Sequence, residues 1–325
     1  MPEKNRVYRA RIEGYTSEGL GVARIDGQAV FVHRALRGED CDVLILKVLK
    51  NAAFGKAVRV YEPSPHRVEP DCPYYGRCGG CDFRHMDRTE ELAAKRQRVQ
   101  DALRRIGGSA VTVEGIDGGA PLHYRNKSQY PVAADGSVGF YKARSHQVVP
   151  VAQCLIQKPQ ADAAAQALRT YIASCGVSCY DEKTRRGLVR HLYIRTNGAG
   201  QSLICVVANG KKLPREEELV RLLRQAAPET VGVVLGVNTQ PTGAVLGTEY
   251  RTLWGADVLT DTLCGLTFRL SVPSFYQVNR EMAERLYARA VEFAGLTGTE
   301  TVLDQCCGAG TITPVMARQA GRVIG

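Results

Sequence analysis

The sequence predicts a multidomain chain of mixed α+β and α/β class. It reads as an N-terminal OB-like β-barrel, a central α+β domain with a cysteine-ligated cluster, and the start of a Rossmann-like domain. Three observations predict this. Residues 6–62 hold about five short runs of alternating apolar and polar residues between turn signals. Cys72, Cys78 and Cys81 form a C-x5-C-x2-C run. Residues 301–320 read as strand, glycine-rich turn and helix, the opening unit of a doubly wound sheet. At 325 residues the chain has length for about two or three domains, and its 44% hydrophobic content can fill their cores.

In the first segment Tyr8, Ala10 and Ile12 alternate with polar neighbours. Val22 to Ile25 and Ala29 to Val32 flank Asp26-Gly27, a strong hairpin signal. Val43 to Val48 and Ala57 to Tyr61 complete a barrel of the kind that presents a platform to single-stranded nucleic acid. Pro63, Pro65 and Pro70 mark a linker. The cysteine run follows, with Cys154 far downstream. Two glycines before Cys81 let the backbone curl, so the thiolates can point at one centre. A 3+1 set suits a [4Fe–4S] cluster. Four-cysteine zinc is the next reading and a disulfide the last.

Asp87 with Glu90 three residues on predicts a helix N-terminus. The helix spans 88–107, with Leu92, Val99, Leu103 and Ile106 on one face and Gly107-Gly108 as the stop. Lys95, Arg96, Arg98, Arg104 and Arg105 on it suit either a solvated face or a contact with RNA or another domain. Residues 122–150 read as short strands carrying Tyr124-Arg125-Asn126-Lys127 and Gly139-Phe140-Tyr141-Lys142-Ala143-Arg144. Basic residues beside aromatics can hold phosphates and stack bases, so Arg125, Lys127, Lys142 and Arg144 are RNA-binding candidates. A helix at 160–173, strands at 188–195, 202–208 and 231–237, and a helix at 215–226 give an α+β domain with a largely antiparallel sheet. His191, among apolar strand residues, reads as structural. Glu281 to Ala294 reads as a helix with Met282, Leu286, Ala290 and Phe293 at helical spacing. Thr301 to Asp304 is a buried-type strand, and Ile312 to Ala320 a helix after the glycine turn. That turn, Asp-x-x-x-G-x-G, has the form seen in S-adenosylmethionine methyltransferases, or is an ordinary strand-to-helix turn with no ligand.

Charge separates the two parts of the chain. Residues 1–215 carry 34 Lys and Arg against 21 Asp and Glu, while residues 216–325 carry 9 against 12. The overall +10 thus belongs to the front, which suits a nucleic-acid-binding module joined to a more neutral one. The polar, basic first eleven residues predict no secretory signal. No apolar run of 18 residues predicts a membrane span. Eleven cysteines without a signal point to a reducing, cytoplasmic setting.

Taken together, these motifs are similar to the iron–sulfur-containing RNA (uracil-C5)-methyltransferases that act on 23S ribosomal RNA. The resemblance implies that residues 1–62 are a TRAM domain. It implies that 63–271 are a central domain holding a [4Fe–4S] cluster on Cys72, Cys78, Cys81 and Cys154, with helix 88–107 packed on the methyltransferase domain. It implies that 272–325 open that domain. Ser274 to Asn279 matches the segment that carries a cofactor contact at Gln277. Asp304 to Thr311 matches the first loop for S-adenosylmethionine, with Asp304, Cys306, Gly308, Gly310 and Thr311 as contacts. Cys306 stands where the family has an aromatic residue. Arg322 to Gly325 resembles the second strand. The ribose-binding acid, the nucleophilic cysteine and the general-base glutamate lie further on in the family, so no catalytic residue is expected within these 325 residues and the chain alone is expected to be inactive. The partner implied is ribosomal RNA, with no membrane and no obligate protein partner. A non-catalytic RNA-binding module, or methylation of transfer RNA, are the alternatives.

Overall fold

The computed structural model describes all 325 residues. They form two compact units, residues 1–76 with 81–118, and residues 77–80 with 119–325.

In the first unit, β1 (Val7–Arg11), β2 (Gly14–Tyr15), β3 (Gly21–Ile25), β4 (Gln28–His33), β5 (Asp40–Val48) and β6 (Ala52–Glu62) form one sheet in the order β1-β5-β6-β4-β3-β2. All pairs are antiparallel except β4 with β6. Asp26 (φ 50°) and Gly27 (φ 79°) both sit in the left-handed region that a tight two-residue hairpin requires. Alternation places Ala23, Val30, Val32, Val43 and Ile45 inside, fully closed from water. Glu39, at 0% exposure, accepts from Arg67 Nε at 2.5 Å, Arg67 Nη2 at 2.7 Å and the Leu36 N–H at 2.8 Å. Burial works to raise this carboxyl. The Arg67 guanidinium and the Leu36 and Ser64 N–H groups outweigh it and hold the group below the usual carboxylate range.

Helix α1 (Arg88–Asp101) starts where the sequence predicts, with the Asp87 carboxylate accepting from the Glu90 N–H at 2.9 Å. Glu90 does not complete the capping box. Its carboxylate instead accepts from the Tyr15 hydroxyl at 2.7 Å and from Arg37 at 3.1 Å, tying the helix to the barrel. The expected inward face is not the one observed. Val99 and Ile106 are exposed, and Glu90, Ala94 and Gln100 are buried. The α-helix gives way to a π-helical turn at Ala102–Ile106, and that wider turn shifts the later residues off the 3.6-residue register.

In the second unit, β7 (Lys127–Pro131), a hairpin of β8 (Gly139–Tyr141) and β9 (Val148–Pro150), and α2 (Pro159–Cys175) come first. Then follow β10 (Val189–Thr196), β11 (Ser202–Ala208), α3 (Glu216–Ala226), β12 (Thr230–Val237) and β13 (Glu249–Gly255). The sheet order is β13-β12-β11-β10-β7, antiparallel except for β11 and β12, which α3 connects. Strands β10 and β11 are buried on both faces. Leu192, Ile194, Ile204 and Val206 pack with α2 and α3. Tyr193, Leu203, Cys205 and Val207 pack on the other side with Leu259 and Val272. Leu259 lies in β14 (Val258–Leu263), paired with β15 (Leu266–Ser271). His191 is buried with its pKa pushed down to about 4 by that burial, so it is neutral and structural. No helix is long and apolar enough to cross a membrane.

Helix α4 (Arg280–Ala294), β16 (Thr301–Leu303), α5 (Thr313–Met316) and β17 (Arg322–Ile324) complete the described elements. β16 and β17 pair in parallel, as Arg322 to Gly325 predicts. One apolar stripe of α4 is buried and the other is not, and the last helix is shorter than expected. α4 buries Ala283, Tyr287 and Val291, whereas Leu286 and Phe293 are exposed; the helix has apolar residues on two faces, and the aromatic hydroxyl face wins the packing. The last helix is one turn, not Ile312 to Ala320, because Thr313 spends its hydroxyl on Asp304 and the chain then turns into β17.

Candidate cofactor loop and RNA-binding cations

The first functional element is the segment from Ser271 to Asn279. It has no regular structure beyond the end of β15, so its position is imposed by hydrogen bonds from elsewhere. Arg195 (2% exposed) donates to the carbonyls of Val272, at 3.3 Å, and Ser274. The buried Tyr276 donates to Asp261 at 2.9 Å. Asn126 supplies two bonds, Nδ2 to the Gln277 carbonyl at 2.9 Å and its N–H to the Val278 carbonyl at 2.8 Å. Asn279 then caps α4 by accepting from the Met282 N–H at 3.2 Å. Gln277 is held by its backbone, which leaves its half-buried side-chain amide available. Phe275, two residues away, is 62% exposed. Sequence reading treats Phe275 only as part of a matching run. The signal that finds it is a large aromatic turned outward in a segment whose neighbours are pinned.

Cations gather beside this segment. Arg195 and Lys127 face each other in the β10–β7 register. Arg125 bridges to both Asn279 and Gln157. The Lys127 ammonium is pushed down by burial first, then by Arg195 and Arg125. None of the three has a carboxylate partner, and Nε of Arg125 and of Arg195 is buried without an acceptor. Arg195 spends its guanidinium on the Val272 and Ser274 carbonyls, so Arg125 and Lys127 are the two of the three placed to meet an anion. Arg125 and Lys127 are thus brought together. Lys142 and Arg144 lie on the β8–β9 hairpin.

The second element is the loop after β16. The Asp304 N–H donates to the Ile324 carbonyl at 2.8 Å, and its carboxylate accepts from the Thr313 hydroxyl at 2.6 Å. Gly308 (φ 55°) and Gly310 (φ 65°) take left-handed conformations, and the Gly310 N–H closes onto the Cys307 carbonyl at 2.7 Å. Cys306 is exposed. Thr311 is turned inward, its hydroxyl 2.6 Å from that of Tyr287. The loop therefore curls outside the carboxyl ends of two parallel strands, where ligands of open α/β sheets bind. Bare glycine backbone there admits a ligand closely, which fits S-adenosylmethionine.

The four cysteines expected as cluster ligands divide between the two units. Cys72 and Cys81 belong to the first unit, Cys78 and Cys154 to the second. No group of three or more His, Cys, Asp or Glu side chains is gathered to hold a metal ion. Cys154 is positioned through its N–H, which donates to the buried Asp162 at 2.9 Å. Burial raises the thiols of Cys41 and Cys179 to about 11 and that of Cys205 to about 12, so these are packing residues.

Residues 3–58 match the family of TRAM domains. An uncharacterized RNA methyltransferase of Clostridium tetani is 40% identical over 99% of this chain and 71% of its own length. One of Halalkalibacterium halodurans is 39% identical over 99% and 72%. The chain belongs to the RNA methyltransferases. The methyltransferase also shares its fold with the Pyrococcus abyssi tRNA (uracil-54, C5)-methyltransferase, solved in complex with S-adenosyl-L-homocysteine. The two superpose with a TM-score of 0.74 at 20% identity, over 96% of this chain and 71% of that one.

Proposed function

We propose that this RNA methyltransferase acts on C5 of a uridine, with S-adenosylmethionine as donor and 23S ribosomal RNA as substrate. The observation that carries the reading is the double hydrogen bond from Asn126. It fixes Gln277 beside an anion-ready pair, Arg125 and Lys127. Bound S-adenosylmethionine supplies an electrophilic methyl group. The loop from Asp304 to Gly310 holds it, and Gln277 orients it. Arg125 and Lys127 grip the phosphate of a nucleotide drawn out of its stack. Phe275 offers a stacking face for a base. Uracil C5 becomes nucleophilic when a cysteine thiolate adds to C6; C5 then takes the methyl carbon as its bond to the donor sulfur breaks, releasing S-adenosylhomocysteine, and a base removes the C5 proton as the thiolate leaves C6. The buried cysteines are held as neutral thiols, and Cys306 and Cys307 lie in the cofactor loop. None of these five has the setting of that nucleophile.

The test is a map of 5-methyluridine in RNA from cells with and without the gene. Loss of one 5-methyluridine from 23S RNA is expected; an unchanged map sinks the assignment. Loss from transfer RNA instead favours the second reading, which the fold of the archaeal tRNA enzyme supports. The cluster is a separate proposal, carried by the spacing of Cys72, Cys78, Cys81 and Cys154. Iron and sulfide analysis of protein purified without oxygen tests it, and iron-free protein ends it.

A further inference from the structure

We propose that a second cluster of cations in the second unit, around a cavity of about 240 Å³ at the tip of the β8–β9 hairpin, binds a phosphodiester of the RNA. The proposal rests on RNA being the substrate chain, and it is independent of which base is methylated. Three segments meet at the cavity. His146, in the hairpin, faces Glu182 at 2.8 Å, joining the hairpin to the turn at 181–186. Arg190, at 4% exposure, donates to the carbonyls of Asn238 (2.7 Å), Gln240 (2.8 Å) and Thr242 (3.2 Å), which fixes the third segment. The same guanidinium lies 4.3 Å over the Tyr180 ring, and its buried Nε has no acceptor.

The turn frees its cations. Asp181 is consumed internally, accepting from the Lys183 N–H at 2.9 Å and the Thr184 hydroxyl at 3.1 Å. Lys183, Arg185 and Arg186 are exposed and make no ion pair, as is also true of Lys142 on the hairpin. Arg185 is held at φ 57°, a left-handed conformation uncommon for such a residue, so the turn is built rather than loose. Glu182, the remaining acid, is engaged by His146. Arg185 and Arg190 line the cavity beside His146 and Tyr180, and Lys183 and Arg186 stand exposed in the same turn as Arg185; guanidinium and ammonium groups so placed match phosphate oxygens. The volume falls below the range of about 300–1,000 Å³ typical of small-molecule pockets, so the cavity suits one unit of a polymer rather than a whole metabolite. Arg190 and Arg195 are five residues apart on β10, roughly 17 Å at the rise of a strand. The two cation clusters are therefore separable by mutation.

The experiment compares the K183E/R185E/R186E variant with wild type in binding a fluorescent single-stranded RNA across a salt series. Expected is a weaker complex whose log–log salt slope is shallower by about 0.7 for each phosphate that the variant no longer neutralises. Affinity for S-adenosylhomocysteine should not change. A K212E/R215E/R221E variant, reversed on and beside α3, should keep the wild-type slope. Photo-crosslinks from 4-thiouridine RNA should fall on residues 141–147 and 180–187 in wild type and vanish in the first variant. An unchanged slope, an equal loss in the α3 variant, or no RNA binding by wild type overturns the proposal. Wild type that binds RNA while the cellular map of 5-methyluridine stays unchanged would defeat the uridine assignment and leave this site standing on its own slope.

Discussion

In the barrel, eleven core residues are sealed by six strands that curl on themselves, and most are at 0% exposure. In the last 46 residues, α4, β16 and β17 leave Leu286, Phe293 and Leu303 exposed at 59, 82 and 68%. The contrast follows from topology. A curled antiparallel sheet protects its edges and needs only one inner face. A parallel pair has two apolar faces and is ordinarily covered on both. Here α5 packs against β17, and Leu303 is left exposed. The TRAM barrel is therefore expected to be the rigid part, and the glycine loop after β16 to sit on the part that opens more readily. Backbone amides of β5 and β6 should outlast those of β16 and β17 in hydrogen exchange; the reverse order would break the comparison.

The largest expected effect lies in the rigid part. Replacing Glu39 by Ala removes the acceptor of Arg67, Leu36 and Ser64 and leaves a half-buried cation unpaired. The cost should be about 3–5 kcal/mol by the measure of broken buried pairs, read from urea unfolding. A loss within error of zero would mean that Arg67 finds solvent. The sign of the pH dependence follows. The folded pKa is depressed, so the stabilisation is complete above the unfolded value of about 4.3. It is lost as pH falls through the folded value.

Next in size is Asn126→Ala. Loss of the Nδ2 bond to Gln277 should cost about 1–3 kcal/mol if the carbonyl is left unsatisfied. Its particular signature is weaker binding of S-adenosylhomocysteine by calorimetry. Equal stability loss with unchanged binding would remove Asn126 from the positioning role. Tyr287→Phe, which strips the partner of Thr311, should cost about 1 kcal/mol in unfolding.

How much of this is legible in the sequence depends on the range of the interaction. The Asp26-Gly27 turn, the Asp87 cap and the strand–turn–helix at 301–316 are local, and local patterns reveal them. Glu90 shows where local reasoning stops: the capping-box residue serves Tyr15 and Arg37, 75 and 53 positions away. The Arg125–Lys127–Arg195 cluster is half visible, because Arg125 and Lys127 share a motif while Arg195 arrives only through strand pairing. The π turn that exposes Ile106 has no composition signal. The inward face of α4 escapes periodicity because both of its apolar stripes fit the helical repeat, and only packing distinguishes them.

That ambiguity gives the smallest predicted effect and the sharpest use of the comparison. Leu286→Ser and Phe293→Ser remove large apolar groups that touch little. Each should move stability by no more than about 0.5 kcal/mol, as surface changes do, while raising solubility by reducing an exposed apolar patch. The same chemistry at Tyr287 or Val291, on the buried side of the helix, should cost several times more. If instead Phe293→Ser destabilises this chain strongly, α4 packs through the face that its periodicity suggests. The cofactor loop would then rest on a different support from the Tyr287–Thr311 bond.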